Sequence, residues 1–140
     1  MSVIDDLRTY LANCPSLETG ALLLVEQLGA LPVQYAIVPM PGARIVETYL
    51  DGSTLREFPF AFQTAQSTAD DLERIENIAF FEIFADWLET QTAAGTLPTL
   101  DTGKTATAIE ALNWGYLYEQ GQSETGIYQI TCKLTYEQGA

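Results

Sequence analysis

The chain has 140 residues, of which 47% are hydrophobic and 11% aromatic, enough for one ordinary domain with a core and too many for a disordered body. Six basic and nineteen acidic residues give a formal net charge of −13, so the surface as a whole repels phosphate backbones, which argues against tight wrapping of nucleic acid. No apolar run reaches the about 20 residues of a membrane span, and Asp5 and Asp6 stand where a secretory signal would carry positive charge, so folding in cytoplasm is expected.

In chain order, residues 3–13 carry Val3, Ile4, Leu7, Tyr10 and Leu11 at helical spacing, with Ser2 as cap and Asp5 and Asp6 in the first turn. Cys14 followed by Pro15 ends this short helix. After a turn over 16–20, residues 21–27 form a compact apolar segment, a strand or a further helical turn, with length and Gly20 favouring the strand, and 33–38 form a clearer strand. The PMPG stretch at 39–42 is then a loop. Residues 44–50 alternate and turn at Asp51-Gly52 into a partner strand over 55–63, whose Phe58, Phe60 and Phe62 share one face. Pro59 lies between them and cannot donate to a ladder, which predicts an edge position or a bulge.

Residues 67–95 read as one long amphipathic helix. Ser67 and Thr68 precede Asp70 and Asp71 in a helix-start arrangement, and Gly95 with Pro98 supplies the stop. Leu72, Ile75, Ala79, Phe80, Ile83, Phe84, Trp87 and Leu88 make its apolar face. A polar connection over 96–105 leads to a second hairpin, with Leu112, Trp114, Tyr116 and Tyr118 alternating on one arm and a turn at 120–126. On the returning arm Tyr128, Ile130, Cys132, Leu134 and Tyr136 face one way and Gln129, Thr131, Lys133 and Thr135 the other. That alternation implies a sheet covered on one side. Trp87, Trp114 and Tyr116, Tyr118, Tyr128 and Tyr136 are expected in the core at these spacings. The fold class is α+β: one domain, an antiparallel sheet built from two hairpins, with one long helix and a short N-terminal helix packed on one face.

Chemistry is harder to find. There is no histidine, which removes the commonest general base and neutral metal ligand and the usual hydrolase triads. Cys14 and Cys132 stand far apart without CxxC partners, so two unpaired thiols, the second buried, are expected and structural zinc is not. No GxxxxGK[ST] or GxGxxG is present. The acidic pairs Asp70 with Asp71 and Glu73 with Glu76 fit a solvated helix start better than a cation site. No catalytic residue, cofactor or metal is expected. Tyr49, Tyr116 and Tyr118 stand at hairpin positions that one helix layer leaves uncovered, a composition common at interfaces.

The order of a short helix ending in NCP, a PMPG loop, the hairpin ETYLDGSTLREFPFAF, the helix IENIAFFEIFADWLETQTAAGTLP and the closing GYLYEQG with GIYQITCKLTYEQ resembles small prophage proteins. These occur in the head–tail joining region of long-tailed phages of Gram-positive bacteria and are often called minor capsid or minor tail proteins. In fold order the family looks like the tail terminators. The resemblance implies a ring, typically a hexamer, that caps the tail tube, meets a head-completion or neck protein, and lets DNA pass without specific binding. It places the protein in the host cytoplasm during assembly and in the neck of the virion, with no enzymatic activity and no membrane partner. The family offers no short interface motif to match. By physical argument the candidate contacts are the hairpin tip Asp51, Gly52, Ser53 and Thr54 with the flanking Arg44 and Arg56, and the PMPG loop, because scarce cations on an acidic chain are the partners for a neighbour's carboxylates. Arg74 and Lys104 are the other scarce cations. The alternative is a small ligand- or protein-binding module that acts as a monomer.

Overall fold

The computed structural model describes residues 3–15, 23–25, 34–42, 44–67, 71–120 and 125–139. Two helices, α1 (Val3–Leu11) and α2 (Asp71–Ala94), accompany seven strands: β1 (Leu23–Val25), β2 (Gln34–Pro39), β3 (Ile45–Thr48), β4 (Thr54–Ser67), β5 (Lys104–Ala111), β6 (Tyr116–Gln120) and β7 (Thr125–Gln138). All strands form one sheet, antiparallel except for the β1·β2 pair, so the α+β class expected from the sequence is the observed one.

The sheet is built on two long strands. β4 and β7 pair antiparallel over their full length, from Thr54 opposite Gln138 to Ser67 opposite Thr125. The outer edge of β4 carries β3 along its N-terminal part and β2 along its C-terminal part. The outer edge of β7 carries β6 along its N-terminal part and β5 along its C-terminal part. Each half of the chain therefore runs through a helix, two short strands on the edge of its long strand and that long central strand, with β1 added outside β2 in the first half.

Period-two alternation sends Phe60, Phe62, Tyr128, Ile130, Cys132 and Leu134 to one face, where they are buried with Phe81, Phe84 and Leu88 of α2 and Leu7 and Leu11 of α1. Phe62 stacks on Phe84 with ring centroids 4.4 Å apart and on Tyr35 at 5.7 Å, so strand and helix are joined by aromatic contacts worth about 1 kcal/mol each beyond buried area. Both cysteines are buried and neither forms a disulfide, and burial holds the Cys132 thiol well above its ordinary pKa. The opposite face of β4 and β7 is polar: Gln63 donates to Gln129 at 2.7 Å, and Lys133 bridges Glu57 at 2.8 Å and Glu110 at 3.6 Å.

Several expectations change. α2 begins at Asp71, and Ser67 is the last residue of β4, paired with Thr125; the expected cap Ser2 and Thr68 lie outside the described residues. The helix ends as predicted, with Gly95 at φ 76° and Thr96 N bonded to Gln91 O at 2.9 Å, an arrangement that satisfies the last carbonyls. Its buried face is rotated from the expected one: Phe81 is buried, whereas Ile75 and Ile83 are exposed. α1 stops at Leu11, and Pro39 closes β2 instead of opening the loop. The first arm of the second hairpin is two strands: β5, which starts inside the expected polar connection, and β6, separated from it by residues 112–115. Trp114, Tyr116 and Tyr118, expected in the core, are exposed; Tyr128 and Tyr136 are buried and Trp87 is half-buried.

Pro59 is neither at the sheet's edge nor in a bulge; it lies in central β4 opposite Lys133. Its carbonyl accepts from Met40 N at 2.9 Å, so its missing N–H is directed to the same side, into the gap between β2 and β3. The bond it omits is the reciprocal one to Met40 O, at the end of the β2·β4 ladder where the chain leaves the sheet for the loop.

Candidate assembly surface

Sheet edges are where this fold is either sealed or open. Along β5 the edge is sealed by α2: Thr92 Oγ1 donates to Ile109 O at 2.7 Å and accepts from Ile109 N at 3.1 Å. Among the described residues, β3 pairs with β4 alone and β6 with β7 alone, so each has one unpaired edge. Because β4 and β7 are antiparallel and both short strands flank N-terminal parts, these open edges lie on opposite sides and at opposite ends of the sheet.

The β3 corner is a hairpin that stands clear of the core. Every residue of β3 is exposed, and Ile45, Val46, Tyr49 and Leu50 present apolar surface, with Leu50 at the turn 109% exposed. The turn is built locally. Gly52 adopts φ 89°, Tyr49 N bonds to Ser53 O at 2.8 Å, and Asp51 Oδ1 accepts from Ser53 N at 2.9 Å and from Ser53 Oγ at 2.6 Å. Those bonds to Ser53 hold the Asp51 carboxyl below its ordinary pKa. Desolvation, with the Glu47 and Glu137 carboxylates, raises the Tyr49 hydroxyl.

The structure places the sequence-predicted contact residues together around this hairpin, in different roles. Asp51, Gly52 and Ser53 shape the exposed turn, whereas Thr54 is buried at the start of β4 and accepts from Arg56 Nε at 2.9 Å. Arg44 is exposed at the hairpin's root, and its carbonyl receives Glu57 N at 3.2 Å. The PMPG loop crosses the gap beside Pro59, with Gly42 so close that an added Cβ would sit 2.6 Å from Pro59 Cγ. The residues missed were the apolar Ile45, Val46 and Leu50. Their signal was an alternating stretch with apolar residues on both sides, which a strand with one solvated face does not need.

The β6 corner is broader. Leu112, Trp114, Tyr116, Leu117 and Tyr118 are exposed, Trp114 by 74%. Leu112 and Trp114 form one wall of a 550 Å³ groove whose other wall is Glu82, Asp86 and Glu89 of α2. Gly115 anchors the segment against Phe81, with no room for a side chain. Tyr116 is held by Gln129, which donates to its hydroxyl at 2.7 Å. An apolar ridge beside an acidic wall thus stands diagonally across the sheet from an apolar hairpin with arginines at its root.

Among the described residues no cluster of three or more metal-ligating side chains occurs, and no helix is long and apolar enough to cross a membrane. No protein-family model matches the chain, and no curated protein matches it.

Proposed function

We propose that the protein is a non-enzymatic structural component of a phage, a tail terminator or head–tail joining protein that closes into a ring on the tail tube. The observation that carries this reading is the pair of open apolar corners on opposite edges and opposite ends of one sheet. Two different surfaces so placed are what head-to-tail association requires, and such contacts repeat around an axis until the ring closes. The hairpin Ile45, Val46, Tyr49 and Leu50 of one copy enters beside Trp114 and Tyr118 of the next. Arg44 and Arg56 then approach the acidic wall of Glu82, Asp86 and Glu89.

A net charge of −13 suits a channel past which DNA moves without adhering, and a neck protein needs contacts more than an active site. The tail-tube protein and a head-completion protein are the remaining partners, and the host cytoplasm followed by the virion neck is the place of action.

Light scattering on the purified protein, alone and after mixing with tail-tube protein of the same phage, tests this. A ring-sized species, or tubes capped at fixed length, is expected. Persistent monomer that neither binds nor limits the tubes would overturn it and leave a monomeric binding module.

A further inference from the structure

The assembly reading leaves unused a cavity on the helical side of the molecule. It encloses 660 Å³ between α1, the C-terminal turns of α2 and the connection to β5, with Asp6, Tyr10, Trp87, Leu97, Thr99 and Asp101 in its lining. A side-chain-sized group fits such a volume.

Asp6 is the anomaly. It is 7% exposed, and its Oδ2 is buried without a hydrogen-bond partner. A buried carboxylate oxygen left unpaired is costly, and most such groups in folded proteins have a partner.

Three donors on the α1 side are already committed. Tyr10 donates to Thr96 O at 2.7 Å, and burial pushes its hydroxyl up to about 12, so it keeps that proton. Thr9 Oγ1 donates to Asp5 O at 3.1 Å, and Asn13 Nδ2 to Thr9 O at 3.3 Å. What the α1 side of the cavity offers a visitor is an acceptor. Beside it lie the rings of Tyr10 and Trp87, with centroids 5.4 Å apart and planes tilted by 41°, whose faces attract positive charge. Asp101 adds a second acidic side chain to the lining. An anion would be repelled, and an apolar ligand would leave Asp6 unpaired.

We propose that this cavity binds a cationic group, guanidinium or ammonium, held by the Asp6 carboxylate against the Tyr10 and Trp87 rings. The cation belongs either to a protein side chain or to a free amine; the chemistry at Asp6 is the same. The site is independent of ring formation.

The chain's two tryptophans make a test with an internal control. With fluorotryptophan incorporated into the full chain, fluorine NMR reports Trp87 inside the cavity and Trp114 outside it. Arginine amide, putrescine and the neutral analogue citrulline amide are titrated. A saturable shift of the Trp87 resonance with a cation, and none of Trp114, is expected, with binding of citrulline amide or of any probe to Asp6→Asn at least about tenfold weaker. Tighter binding of arginine amide points to a protein side chain, and tighter binding of putrescine to a free diamine; both support the site. Citrulline amide binding as well as arginine amide, undiminished binding to Asp6→Asn, or no saturable Trp87 shift overturns it. Should Asp6→Asn fail to fold, Thr99→Trp decides: it fills the rim from an exposed position, and binding that survives it overturns the site.

Discussion

In the first half of the chain β4 is flanked by β2 and then β3, and in the second half β7 is flanked by β5 and then β6; each long strand therefore faces a break between its two short neighbours. At the break beside β4, Pro59 has no N–H to satisfy and its carbonyl takes Met40 N. At the break beside β7, Thr131 keeps its N–H, and Asn113 acts as a substitute strand: its Oδ1 accepts from Thr131 N at 3.1 Å, its Nδ2 donates to Thr131 Oγ1, and Leu112 N donates to Thr131 O at 2.7 Å. One break is closed by deleting a donor, the other by supplying an acceptor. The second is the more fragile, because a polar group left unpaired costs more than one never present.

The connecting segments differ in the same direction. Gly42 meets the tip of a proline ring, which can re-pucker, while a Cβ on Gly115 would fall 2.4 Å from Phe81 Cβ and 2.5 Å from two ring atoms of a fully buried side chain. Gly115→Ala is therefore expected to destabilise by about 3 kcal/mol and Gly42→Ala by about 1 kcal/mol, read from urea midpoints at constant slope. Equal losses would mean that the second connection is no more tightly docked than the first.

Next in size come the breaks themselves. Asn113→Ala hands the Thr131 N–H to water at an exposed site and should cost about 1 kcal/mol, with faster hydrogen exchange at that amide. Pro59→Ala restores a donor only at the frayed end of the β2·β4 ladder and frees the unfolded chain, a loss of roughly 0.5–1 kcal/mol. A larger loss at Pro59 than at Asn113 would reverse the ranking of the two halves.

This difference explains which parts of the fold were legible. Phe58, Phe60 and Phe62, and Tyr128 through Tyr136, alternate cleanly because each long strand has neighbours on both sides and one covered face. The short strand KTATAIEA could not be recognised that way. Its residues are small or polar, and α2 seals its edge through Thr92, a contact between residues far apart in sequence. For α2, apolar residues stand on several sides, so helical spacing permits more than one buried stripe. The stripe that is used is selected by Gly115 against Phe81 and Thr92 against Ile109. Asp51, Gly52 and Ser53 were readable as a turn because their bonding is local, whereas the Asp6 cavity needed three separate segments to be brought together.

The smallest effect on the fold, and the sharpest on assembly, is expected at the two corners. Leu50→Asp and Trp114→Asp change exposed side chains, so each should move folding stability by no more than about 0.5 kcal/mol. If the contact is head-to-tail, each variant alone loses one of its two surfaces and sediments as a monomer. An equimolar mixture behaves differently: the intact β6 corner of the Leu50→Asp copy accepts the intact hairpin of the Trp114→Asp copy, and the mutated surfaces left outside stop growth at a heterodimer. Were each corner to pair with its own kind, each variant would form homodimers before mixing, since one self-complementary surface would survive in each. Sedimentation of the separate and mixed variants distinguishes the two geometries. A ring whose copies all point the same way along a tube needs the first, because self-pairing corners reverse the direction of each successive copy.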